Sequence, residues 1–305
     1  MPLWIPITIA AAFLQNVRST IQKQLTGKLS TQGATYVRFL YGLPVALLYL
    51  ALLVTLQERS ISEITSSWSP VFWTYATVGG LCQILATALL VTLFTYRNFA
   101  VGTAFSKTET VQAVMFGLVF LGEGITTGAG IGIFVSLIGV ILISTRSARF
   151  HLSDFFKDVT APASLMGIGS GALFGISAVS YRGASLSLGI ENVLFSASIT
   201  LACVLTLQTL LMGGWLAYKD RSQLSASLRH WRPAALAGIT GGLGSIGWFT
   251  AMTLQNVAYV RALGQIELVF TFAASWFLFK ERSDAKEVVG VLLIVAGLVV
   301  LLLDA

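Results

Sequence analysis

Residues 98–143 read NFAVGTAFSKTETVQAVMFGLVFLGEGITTGAGIGIFVSLIGVILI, and residues 256–301 read NVAYVRALGQIELVFTFAASWFLFKERSDAKEVVGVLLIVAGLVVL. The two stretches align at a constant offset of 158 with no gap. Asn98 falls on Asn256, Ala104 on Ala262, Glu109 on Glu267, Glu123 on Glu281, Gly132 on Gly290 and Gly139 on Gly297. A shared Val or Ala carries little weight in so apolar a chain. The glutamates carry more, because the sequence holds only eight and four of them occupy two of these register pairs. A duplicated membrane unit is the usual construction of secondary transporters, with the substrate held between the copies near mid-membrane.

Composition points the same way. The chain has 305 residues, 55% hydrophobic and 10% charged, and its mean hydropathy is +0.82. Soluble domains carry about 25% charged residues, so this chain cannot cover itself with a polar surface and needs lipid. The net charge of +6 is not gathered into a basic run or helix face, so nucleic acid is not an expected partner. Excess Lys and Arg in a membrane protein mark cytoplasmic loops. Cys82 and Cys203 both lie in apolar runs and give no disulfide framework or metal pair. The start, MPLWIPITIAAAFLQ, lacks a basic n-region and reads as a first span that stays.

A spanning helix needs about 20 mostly apolar residues. Ten such stretches are predicted, near 3–22, 34–56, 70–95, 98–121, 125–145, 163–183, 190–217, 233–254, 257–279 and 285–303. The longest polar interruption, 146–162, joins a five-helix repeat at 1–145 to another at 163–305. Loops 1–2, 3–4, 5–6, 7–8 and 9–10 hold thirteen Lys and Arg, and the alternate loops hold only Arg59 and Arg182. That bias predicts both termini outside. Homologous loops carry opposite bias: loop 4–5 has no Lys or Arg and loop 9–10 has three, while loop 2–3 has one and loop 7–8 has four. The expected fold is therefore an all-α membrane protein of ten transmembrane helices in two inverted five-helix repeats.

Charged groups inside spans are costly and usually face a cavity or a partner. Arg18 and Arg38 lie near the cytoplasmic ends of spans one and two, where snorkelling accounts for them cheaply. Lys107 and Glu109 lie near mid-membrane in span four. Two residues apart on a helix they cannot pair with each other, so each needs a partner on another span or faces water. Glu267 is the repeat equivalent of Glu109. Arg261 with Gln265, one turn along, suits a carboxylate ligand; pairing of Arg261 with Glu109 or Glu191 is the competing reading. Asn16 and Trp248 are weaker candidate wall residues. Trp248 and Tyr259 flank a short loop and read first as interfacial belt residues. Span six has Gly167, Gly171 and Gly175 at every fourth position, and span eight is denser still in glycine, which suits close helix packing in lipid. A lining or gating role for the span-eight glycines is the alternative.

The halves, the acidic residue closing the fourth span of each (LGE at 121–123, FKE at 279–281) and the Gly-containing fifth span resemble the drug/metabolite transporter superfamily, in particular its ten-helix EamA-type permeases. The resemblance covers nearly the whole chain. It implies a multi-pass carrier of the cell inner (plasma) membrane, often an exporter, with aromatic amino-acid exporters of the YddG type as the functional comparison. The expected activity is export of small metabolites, amino acids including aromatic ones, by alternating access at a central cavity. A multidrug or organic-cation exporter and a narrow passive channel are the alternatives. The four-helix multidrug members use a first-helix glutamate for proton exchange, whereas 3–22 and 163–183 contain no Asp or Glu.

Enzymatic constellations are not expected. His151 and His230 lie far apart in loops, and no P-loop pattern occurs. The ring-forming filter motif of a channel is not found either. No cofactor or metal is expected, the partners are a small-molecule substrate and membrane lipid, and the expected state is a monomer.

Overall fold

A computed structural model describes residues 2–25, 28–93, 106–144, 162–277 and 285–304. Asn98, Ala104, Glu281 and the connecting loop at 146–161 lie outside the described residues. Those described form helices α1 (Trp4–Leu25), α2 (Thr31–Leu56), α3 (Ile61–Ser66), α4 (Pro70–Leu93), α5 (Glu109–Leu121), α6 (Thr127–Ser144) and α7 (Pro162–Ser187). They continue as α8 (Val193–Lys219), α9 (Arg221–Arg229), α10 (Trp231–Leu254), α11 (Val257–Gly264), α12 (Ile266–Phe277) and α13 (Ala285–Leu303).

Helix starts follow local chemistry. Ser30 caps α2 by accepting from the Gly33 amide at 3.2 Å, and Asn192 caps α8 by accepting from the Phe195 amide at 3.0 Å. Pro70 and Pro162 open α4 and α7, where a missing N–H costs nothing. The α5 helix ends at Gly122, whose φ of 67° is the left-handed stop that favours glycine. The α2, α4, α7, α8, α10 and α13 helices are each long and apolar enough to cross a membrane. Leu48, Val119, Phe134, Leu210 and Leu292 are exposed along the helices, an apolar exterior that suits lipid and not water.

Two compact units divide the chain, Met1–Ile84 with Ser177–Asn256 and Leu85–Ile176 with Val257–Ala305. Each draws on both halves of the sequence.

In the first unit, glycines of α10 form a groove for α1 and α2. A Cβ on Gly247 would lie 2.9 Å from the Ala11 Cβ, one on Gly244 3.4 Å from the Leu14 Cβ, and one on Gly242 2.9 Å from the Val45 Cβ. The span-eight glycines thus serve close packing in the described structure. Arg182 donates to the carbonyls of Met252, Thr253 and Gln255 at 2.6, 3.1 and 2.9 Å. It puts a cation on the C-terminal end of α10, where the helix dipole favours one.

In the second unit, α6 and α13 cross through glycine. A Cβ on Gly132 would lie 2.6 Å from the Gly297 carbonyl oxygen, and one on Gly139 would lie 2.5 Å from that of Gly290. Between them the Ser136 hydroxyl donates to the Ile294 carbonyl at 3.4 Å. As the number rises on α6 it falls on α13, so the helices are antiparallel. At the offset of 158, Gly132 corresponds to Gly290, Gly139 to Gly297 and Ser136 to Ile294. Each glycine packs on the equivalent of the other, and Ser136 meets its own equivalent, as a local two-fold requires.

Three sequence expectations need correction. Arg18 and Arg38 do not snorkel: each is only 8% exposed, because both lie on helix faces turned to α10. Tyr259 and Trp248 are not belt residues but buried ones. The Tyr259 hydroxyl accepts from the Thr126 amide at 3.2 Å, tying α11 to the start of α6. The predicted ninth span is also not one helix, since it breaks at Gln265 between α11 and α12.

Candidate functional site

The second unit brings five of the predicted site residues together. Lys107 lies in a turn just before α5, and Glu109 is the first residue of α5. Arg261 sits in the last turn of α11, Gln265 is the break itself, and Glu267 occupies the first turn of α12. Lys107 and Gln265 are repeat equivalents at the offset of 158. Both copies of the unit therefore depart from helix at the same place. Helix ends inside a membrane leave backbone groups that need partners, and such ends commonly face a polar cavity.

The charges pair crosswise between the copies. The Arg261 guanidinium meets Glu109 at 2.8 Å, and the Lys107 ammonium meets Glu267. Two cations and two carboxylates make the group neutral overall. Each glutamate also lies in the first turn of its half-helix, where the positive end of the dipole favours it. All four side chains keep some exposure: 16% for Glu109, 13% for Arg261, 24% for Lys107 and 13% for Glu267. The competing sequence reading of Arg261, a pair with Glu109, is thus the geometry observed.

Gln265 is nearly fully buried and its amide nitrogen donates to the Thr110 hydroxyl at 2.9 Å. Its Oε1 accepts no hydrogen bond from the described residues. A buried amide oxygen left unmet is costly, and a ligand ammonium or amide would meet it. Asn16 on α1 and Trp248 on α10 belong to the other unit. Trp248 is buried, Asn16 is partly exposed, and the Asn16 carbonyl accepts from the Thr20 hydroxyl at 3.0 Å.

Gly171 of α7 shapes the first break, which sequence reasoning had assigned only to general packing. A Cβ there would lie 2.9 Å from the Ser106 carbonyl oxygen and 3.2 Å from the Glu109 amide nitrogen. One turn on, a Cβ at Gly175 would meet the Phe116 ring at 3.2 Å. The glycine ladder therefore lets α7 lie against the backbone that carries Lys107 and Glu109. Gly171→Ala is expected to lower stability by about 1–3 kcal/mol through overpacking. Thermal unfolding of the purified variant tests this. Gly124→Ala, with nothing within 4 Å of the added carbon, should leave the midpoint unchanged.

A solved crystal structure described only as that of a protein is similar over 99% of this chain and 97% of its own, with a TM-score of 0.72 and 15% identity. At that identity the likeness speaks for the fold alone. No curated protein matches the chain. The EamA-like transporter family matches twice, over residues 2–145 and 161–303. Those two matches cover almost the whole chain, so the family's domain occurs in it as two repeats. With apolar helices suited to a multi-pass place in a membrane, this chain belongs to the EamA-like transporter family, which moves small molecules across membranes.

Proposed function

We propose that the protein is a secondary carrier of the cell inner membrane that exports amino acids, aromatic ones included, by alternating access. The carrying observation is the crossed set of Lys107, Glu109, Arg261 and Glu267 at repeat-equivalent helix breaks, with the unmet Gln265 oxygen beside it. A zwitterion needs a cation for its carboxylate and acceptors for its ammonium, and this set supplies both. The substrate carboxylate replaces Glu109 on Arg261, while the ammonium is shared between the freed carboxylate and Gln265. Total charge in the site stays zero on loading, which suits a low-dielectric surrounding. Two inverted five-helix repeats are supported by the antiparallel α6–α13 crossing and the opposed loop charges.

Uptake by proteoliposomes, across a panel of amino acids and cationic drugs, tests the substrate class. Saturable flux of amino acids is expected; saturable flux of cationic drugs alone would overturn the reading.

Neither α1 nor α7 contains Asp or Glu, so the substrate gradient is the expected driving force. Transport should continue at its full rate when an ionophore collapses the pH gradient, and strict dependence on that gradient would contradict this. The charge bias of the loops puts both termini outside the cytoplasm. A C-terminal alkaline-phosphatase fusion should therefore be active, and fluorescence of a C-terminal cytoplasmic reporter would reverse the orientation.

A further inference from the structure

The short helix α9 takes no part in the site above, yet it joins two membrane-length helices, α8 ending at Lys219 and α10 beginning at Trp231. With so little chain on either side, it has to lie at the membrane surface where those helices end. Its inner side is held by the protein. The Gln223 Oε1 accepts from the Ser30 amide at 2.9 Å, and the Tyr41 hydroxyl donates to the Ser227 carbonyl at 3.2 Å. Ala226 packs on the buried cluster that includes Leu29, Ala34 and Ala234. Positions 223, 226 and 227 therefore mark the packed face. At about 100° per residue, Arg221, Ser225 and Leu228 fall on the opposite face, and all three are exposed.

The segment around that outer face is basic. Lys219, Arg221, Arg229 and Arg232 are all exposed, and none of the four is in an ion pair among the described residues. Asp220 is the one acid between positions 211 and 232, and it caps α9. Its Oδ1 accepts from the Ser222 amide at 3.2 Å and from the Ser222 hydroxyl at 2.5 Å. Large apolar side chains are exposed in the same segment: Trp215 and Tyr218 on α8, Leu228 on α9 and Trp231 on α10. The Arg232 guanidinium carbon stands 5.6 Å from the centre of the Trp231 ring. Amphipathic aromatic rings settle at the level of lipid headgroups, so they put these cations at the depth of the lipid phosphates.

We propose that α9, with Lys219 and Arg232 flanking it, is an interfacial helix that docks on anionic phospholipid headgroups of the bilayer. Single cations spread along the segment, interleaved with exposed rings and Leu228, match a charged lipid surface with an apolar layer beneath it. Each cation held at such a surface strengthens association about fivefold.

The test uses the full chain, purified and placed in nanodiscs of phosphatidylcholine. Quenching of tryptophan fluorescence is compared as brominated phosphatidylglycerol or brominated phosphatidylcholine is included. The anionic lipid is expected to reach the same quenching at a mole fraction about fivefold lower, with the advantage shrinking at high salt. Joint replacement Arg221→Gln, Arg229→Gln and Arg232→Gln should abolish the advantage, and Trp231→Phe should remove most of it. Lys at the same three positions keeps the charges and should keep the advantage, which tests the proposal even if the Gln protein folds poorly. Equal quenching of the wild type by the two lipids overturns the proposal, and so does an undiminished advantage in the Gln or Trp231→Phe protein. Loss of the advantage on adding inorganic phosphate at constant ionic strength would also overturn it, by showing a small-anion site instead. The readout is lipid contact, so failure of amino-acid transport would leave it standing.

Discussion

Arg261→Met is expected to remove most of the folded protein from the membrane, and adding Glu109→Gln is expected to bring much of it back. Removing one member of a buried pair typically costs about 3–5 kcal/mol, because the partner is left as an uncompensated charge. Removing both members leaves two neutral side chains of similar size, which is often close to neutral for stability. The same pattern should hold for Lys107→Met alone and with Glu267→Gln. Abundance in isolated membranes and the unfolding midpoint give the structural part. Transport by the double variants gives the functional part: restored abundance with lost flux marks a substrate contact. Restored abundance with full flux would mean the pairs only hold helices together. Single variants that match wild type in both would remove any role for these charges.

The second large effect belongs to the α6–α13 crossing. Gly139→Val would press its Cβ to within 2.5 Å of the Gly290 carbonyl oxygen and 2.9 Å of an Ile294 side-chain carbon. A backbone oxygen cannot rotate away as a side chain can. The expected cost is therefore about 3 kcal/mol or more, the upper end of overpacking. Gly130→Val is the matched control, since its nearest neighbour is the Ile125 Cδ1 at 3.6 Å. Size-exclusion profiles of the detergent-extracted variants should show the Gly139 protein depleted or aggregated and the Gly130 protein unchanged. Equal behaviour of the two would deny the close crossing.

That crossing also shows what was legible in the sequence. Rare residues in register revealed the duplication, because Glu109, Glu267, Gly132 and Gly290 recur at one offset in a chain short of charge. The pairing partners were partly legible, since two residues of spacing ruled out a Lys107–Glu109 contact and sent both to another helix. The breaks were not, because apolar length sees a continuous span wherever hydropathy persists, and Gly264 beside Gln265 was the only local sign. Distance from a helix end misled for Arg18, Arg38 and Tyr259. It gives depth in the membrane but not which side of the helix faces protein. For Arg18 a sign existed: Ala11, Leu14 and Arg18 follow helical spacing, and they meet Gly247, Gly244 and Gly241 in turn.

Counterflow in proteoliposomes bears most directly on the claim that this EamA-family protein is an amino-acid carrier. Vesicles holding the purified wild-type chain are preloaded with unlabelled phenylalanine, and labelled phenylalanine is added outside. A carrier working by alternating access predicts a transient accumulation of label above equilibrium, saturating with substrate and absent in vesicles without protein. Flux that rises linearly with concentration, with no overshoot and no acceleration by the preloaded substrate, would contradict it.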